Sequence, residues 1–145
     1  MFTFVIYLGE IPKFCQQCIN SIEKFYPDLN IINTWGDCPI VQINDPRFAS
    51  NDLRRWILSK HNEALYFDVD VELFQRLEFD KIDKPWFGTN ESGVDEWLIY
   101  HKGQQPFFRD WVYNKTTRIL TPSNHYEISG KDKFIHYNYS KGVLI

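Results

Sequence analysis

The chain has 145 residues, 43% apolar and 17% aromatic, enough bulky side chain to bury a core within one domain and to exclude a disordered chain. Sixteen Lys and Arg against nineteen Asp and Glu leave a formal charge of −3, which excludes the strongly basic surface of a general nucleic-acid or anionic-membrane binder. No apolar run reaches the ~18–20 residues of a membrane-spanning helix, and residues 1–8 lack the basic start and cleavage site of a signal peptide. Three cysteines (Cys15, Cys18, Cys38) cannot all pair with one another, so a reducing, cytoplasmic setting is expected.

Residues 3–8 are an apolar, β-branched and aromatic run stopped at Gly9, and they predict a buried strand. Pro12 then opens an amphipathic stretch with Phe14, Cys18, Ile22 and Phe25 at three- and four-residue spacing, a helix stopped before Pro27. Residues 30–35 predict a second strand closed by Gly36 and Asp37, and residues 40–43 a shorter third. Ser50, Asn51 and Asp52 offer N-cap chemistry for a helix over residues 53–61. Residues 64–67 predict a buried strand that ends in Asp68-Val69-Asp70. Strands and helices alternating at these short spacings imply parallel pairing with right-handed crossovers. Further on, residues 97–100 predict a strand, 104–113 a helix and 134–137 a last strand. The chain is expected to be one α/β domain over residues 1–145, with an open sheet in the first half and a mixed second half. Phe4, Phe14, Phe25, Trp56 and Phe67 fall on expected core faces, whereas Trp35, Trp86, Trp97, Tyr137 and Tyr139 fall in segments flanking the strand ends.

Ligands of open α/β sheets bind beyond the carboxyl ends of the strands, which is where Asp68 and Asp70 sit. Carboxylate oxygens suit Mg²⁺ or Mn²⁺, which take few protein ligands and complete their shell with water and phosphate oxygens. With 11 Asp in 145 residues, about one D-x-D is expected by chance, so the spacing alone says little. Its context says more: carboxylates directly after an apolar strand are costly to bury without counter-charge.

Here the sequence resembles a known family. Asp52 and Arg55 with Trp56, followed by Tyr66-Phe67-Asp68-Val69-Asp70-Val71, are similar to the S-D-x-x-R-Y, strand and D-x-D pattern of the family 32 glycosyltransferases. That family includes mannosyl- and galactosyltransferases and resembles the catalytic domains of clostridial glucosylating toxins. The block from Glu96 to Phe107 is similar in spacing to the family's N-A-I…H-P-F stretch, with Glu96 in the place of Asn. Phe134-Ile135-His136-Tyr137 resembles its C-terminal His block, and Phe25-Tyr26-Pro27-Asp28 with Trp35 its N-P-D…W stretch. Asn62-Glu63-Ala64 stands where the family has a Gly-Gly turn, and Lys141 where it has Trp.

The resemblance covers most of the chain. It implies a GT-A-like, Rossmann-like nucleotide-sugar fold with a mainly parallel sheet flanked by helices. Residues 1–70 would form the nucleotide half and residues 71–145 the acceptor side. It implies a metal-dependent, retaining transfer of a sugar from a UDP- or GDP-sugar to a saccharide or other hydroxyl. Asp70 would ligate Mn²⁺ or Mg²⁺, Asp68 would contact ribose and the metal shell, and His136 would close the metal site. Asp52 and Arg55, one helical turn apart, would reach the donor, and backbone at Leu8-Gly9 would hold the base. Whether a homo-oligomer completes the acceptor site stays open.

Three other readings compete. Cys15-Gln16-Gln17-Cys18 at a helix start has the spacing of a redox pair, although Cys18 also lies on the apolar stripe. The strand into Asp68 also resembles the first motif of haloacid-dehalogenase-type phosphatases, in which the first Asp is a nucleophile. Finally, a catalytically degenerate member of the fold would bind a nucleotide sugar, a carbohydrate or a protein without turnover.

Overall fold

The structure is a computed structural model that describes residues 1–39, 46–90, 93–113 and 124–137; the strand expected at 40–43, Tyr139 and Lys141 lie outside them. Strand β1 (Phe2–Ile6) leads into α1 (Lys13–Phe25), and β2 (Asn30–Ile32) and α2 (Pro46–Lys60) follow. Next come β3 (Glu63–Phe67), β4 (Val71–Leu73), β5 (Trp86–Asn90) and β6 (Gly93–Lys102), then α3 (Gln105–Tyr113), β7 (Tyr126–Ile128) and β8 (Phe134–His136).

The helices start and stop for local reasons. Pro12 caps α1 with φ −61° and ψ 151°, and its carbonyl accepts the first helical N–H, from Gln16 at 2.9 Å. The helix ends where Tyr26 N–H reaches Ile22 O, one residue before Pro27. α2 begins at Pro46, about two turns earlier than expected, so Asn51 and Asp52 lie inside the helix. Asp52 accordingly faces inward, only 4% exposed.

Six strands form one sheet in the order β2-β1-β3-β6-β5-β7. β1 runs parallel to β2 and β3, and β7 runs parallel to β5; β6 is antiparallel to both of its neighbours. Three of these five pairings are thus parallel, and the β3–β6 pairing joins the two halves of the chain in one sheet. Residues alternate between faces along the buried strands. Val5, Leu65 and Phe67 pack with Ile19 and Ile22 of α1, while Phe4, Ile6 and Tyr66 pack with Leu53, Ile57 and Leu58 of α2 and Phe108 and Trp111 of α3. Phe4 and Phe67 are fully buried as expected, whereas Phe14, Phe25 and Trp56 are half-buried at the rim. A separate two-stranded ladder pairs β4 with β8, setting Val71 opposite His136 and Leu73 opposite Phe134.

A titratable histidine lies in this core. His101 is fully buried, with Nε2 2.8 Å from the Leu58 carbonyl and Nδ1 accepting the Gln104 N–H at 3.2 Å. These bonds fit one neutral tautomer, with the proton on Nε2, because a proton on Nδ1 would face a donor. Burial therefore pushes His101 from 6.5 down to about 4; His61 adds to the fall, and the Leu58 carbonyl and Glu63 oppose it. Its folded pKa lies below the unfolded value, so the unfolded chain takes the proton first. The stabilisation is whole above pH 6.5 and is lost as pH falls towards 4, by about 3 kcal/mol in all. In urea unfolding, wild type should lose stability between pH 6.5 and 5, and His101→Gln should show a flatter profile there. Parallel profiles would refute the assignment.

Candidate active site

The acidic pair is placed by a turn. Asp68 N–H bonds to Trp97 O at 2.8 Å, which ends the β3–β6 ladder, and Val71 N–H returns to Asp68 O at 3.3 Å. The chain then enters β4, and β8 pairs alongside, with Tyr137 N–H on Asp70 O at 3.0 Å. This brings Asp68, Asp70 and His136 together, with one ligand atom from each within 4.8 Å of the others. His136 Nε2 lies 3.1 Å from Asp70 Oδ1 and 3.6 Å from Asp68 Oδ2.

Burial would pull the His136 pKa down, but the Asp68 and Asp70 carboxylates outweigh it and lift it to about 9. Burial likewise favours a neutral Asp68, but His136, Arg54 and Tyr66 hold its pKa below the usual value. Without metal, His136 is thus an imidazolium held beside an ionised Asp68. Hard oxygen donors from Asp68 and the buried Asp70, with one imidazole, fit Mg²⁺ or Mn²⁺.

Behind Asp68 lies a second charge cluster. Arg54 is 6% exposed; its Nη2 lies 2.8 Å from Asn51 Oδ1 and 3.2 Å from Glu96 Oε1, and its Nη1 lies 3.8 Å from Asp68 Oδ1. Its guanidinium sits 5.0 Å above the Tyr66 ring, and the Tyr66 hydroxyl donates to Asp68 Oδ1. Burial raises the Tyr66 pKa well above its usual value, and the Asp68 charge adds to this, so the hydroxyl stays protonated as a donor. Arg55 grips Glu96 with two bonds, Nε to Oε1 at 3.0 Å and Nη2 to Oε2 at 2.9 Å, and stacks 3.9 Å from the Trp111 ring.

Of the expected site residues, Asp68, Asp70 and His136 converge. Asp52 and Arg55 lie one turn apart on α2, with the Arg55 guanidinium directed to Glu96. Leu8 and Gly9 follow β1, whose carboxyl end shares a sheet edge with that of its parallel neighbour β3; Gly9 has φ +117°, open to glycine and strained for other residues. Arg54, Tyr66 and Glu96 were not anticipated as site residues, whereas Trp97 was placed in a segment flanking the strand ends. Tyr66 had a signal, since residues two apart on a strand share a face and Tyr66 precedes Asp68 by two. Cys15 and Cys18 are buried thiols that burial, helped by the Asp70 charge, pushes up to about 11 and about 12, opposite to a reactive redox pair.

No protein-family model matches the sequence, and no curated protein matches it. Solved structures do. A glycosyltransferase involved in glycosylation of the major capsid of PBCV-1 is similar over 95% of this chain and 93% of its own, with TM-score 0.56 and 11% identity. An active-site mutant of LgtC is similar over 89% of this chain and 73% of its own, with TM-score 0.57 and 9% identity. The galactosyltransferase LgtC with donor and acceptor sugar analogues is similar over 84% and 66%, with TM-score 0.52 and 11% identity. The fold is therefore the GT-A glycosyltransferase fold, an α/β sheet flanked by helices. No helix among the described residues is long and apolar enough to cross a membrane.

Glu96 is the shared counter-ion of two arginines, so its removal would leave both poorly compensated in a buried site. Glu96→Ala should lower unfolding free energy by about 3–5 kcal/mol, measured in urea, and a loss below ~1 kcal/mol would contradict this role.

Proposed function

We propose that this chain is a metal-dependent glycosyltransferase that moves a sugar from a nucleotide-sugar donor to a saccharide or other hydroxyl acceptor. The observation that carries this reading is the Asp68, Asp70 and His136 cluster at the carboxyl end of β3 in a GT-A fold. In the transfer, the bond from the anomeric carbon to the diphosphate oxygen breaks, a bond to the acceptor oxygen forms, and the acceptor's hydroxyl proton passes to the departing diphosphate. The departing diphosphate gathers negative charge, and a divalent cation, Mn²⁺ or Mg²⁺, supplies Lewis-acid stabilisation there.

The rest falls to the chain's own residues. Asp70 and His136 would ligate the cation directly; Asp68, with one oxygen held by Tyr66, would offer the other to the metal shell or the ribose. On this reading Asp52 and Arg55, one turn apart on α2, would serve the donor sugar and phosphates once Arg55 leaves Glu96, and the backbone at Leu8-Gly9 would take the base. A UDP-sugar is the favoured donor, a GDP-sugar the alternative, and transfer proceeds with retention. No side chain is assigned as a covalent nucleophile. The buried thiols of Cys15, Cys18 and Cys38 suit a reducing compartment.

A panel of UDP- and GDP-sugars with Mn²⁺, read by thermal shift, tests the donor. Binding at a hundredfold excess over Kd should raise Tm by roughly 5–10 °C. Asp70→Asn should abolish Mn²⁺-dependent donor binding in calorimetry, and unchanged binding would reject the metal assignment. A donor that raises Tm but is neither hydrolysed nor transferred would favour a binding protein of the same fold over an enzyme.

A further inference from the structure

His136 Nε2 must address two carboxylates at once, 3.1 Å from Asp70 and 3.6 Å from Asp68, so the plane of its ring matters. Its strand is a slender support, because β8 has three residues and, among the described residues, pairs with β4 alone. The ring is steadied elsewhere. The Trp97 indole lies flat on the imidazole, with centroids 4.7 Å apart and planes 12° apart, and Phe134 meets the indole edge-on at 5.2 Å. Trp97 is 2% exposed, and its Nε1–H finds no acceptor among the described residues, so its faces and edges hold it in place.

The seat of the indole is on β5. A Cβ at Gly88 would lie 2.8 Å from both Cζ2 and Cη2 of Trp97 and 2.9 Å from Leu98 Cβ, closer than atoms can pack. Gly88 also sits where the β5–β6 register shifts. Only a residue without a side chain leaves the indole its present position.

We propose that Gly88, Trp97 and His136 act as one stack in which Trp97 is a positioning residue. The space above Gly88 seats the indole, the indole face sets the imidazole plane, and that plane aims Nε2 at Asp68 and Asp70. The inference rests on the reading of this trio as a metal site, but the stack also has a metal-free signature.

In the metal-free protein, the His136 ring protons should be shifted upfield by the indole ring current. Trp97→Leu should remove the shift and leave the imidazole averaged between orientations, seen as broadened or merged NOEs. With Mn²⁺ added and affinity read by calorimetry, Trp97→Leu should bind about 10–100-fold more weakly, and Trp97→Phe, which keeps a flat ring, should recover part of the loss. Gly88→Ala leaves Trp97 and His136 intact and displaces the indole, so it should weaken Mn²⁺ binding about tenfold. Its effect should shrink in the Gly88→Ala, Trp97→Phe double variant, where the smaller ring makes room. A wild type that shows the ring-current shift but binds no Mn²⁺ would overturn the metal reading alone. An imidazole as ordered in Trp97→Leu as in wild type would overturn the positioning role. Should Trp97→Leu fail to fold, additive effects of Gly88→Ala and Trp97→Phe would do the same.

Discussion

A carboxylate taken out of water needs a cation beside it, and the end of β3 removes several at once. Asp70 and Glu96 are each 3% exposed, and Asp68 has lost most of its solvent. Positive charge meets them from two sides: Arg54 and Arg55 from α2, and His136 from β8. Much of the local architecture follows from this requirement. α2 must cross the sheet where its arginines reach Glu96 on β6, and β8 must close beside β4 so that His136 reaches Asp70. The helix side of the cluster is paired within the protein. On the other side His136, its pKa lifted to about 9, faces Asp68 and Asp70.

How legible this was in the sequence depended on the kind of signal. β1, α1, β2, α2 and β3 follow from apolar runs and helical spacing punctuated by Gly9, Pro12 and Pro27, and their parallel pairing follows from alternation. The short strands β4, β5 and β7 had no such signal. Val71–Leu73 is too brief for periodicity, and Trp86–Asn90 carries Gly88 at a register shift, which reads as a breaker. The antiparallel direction of β6 was not readable either, because direction is set by the connection through β4 and β5 and not by β6 itself.

The site shows the same division. Asp68 and Asp70 were visible because two acids after a buried strand are costly without a purpose. His136 and Arg55 were reached through resemblance. Arg54, Tyr66 and Glu96 escaped because each is ordinary in its local segment and becomes informative only when α2, β3 and β6 meet. Trp97 was expected beside a cleft. It is instead buried with one face on an imidazole, a reminder that an aromatic near a site can serve the protein's own side chains before any ligand.

The β4–β8 ladder has a further consequence, in time and not only in space. Asp68 and His136 are separated by almost half the chain, yet they share one cluster. During synthesis the sheet strands β1, β2 and β3 and both helices between them can form before residue 136 has left the ribosome. Through that interval the acidic turn exists without its histidine. The three-residue cluster is therefore complete only once β8 has paired with β4.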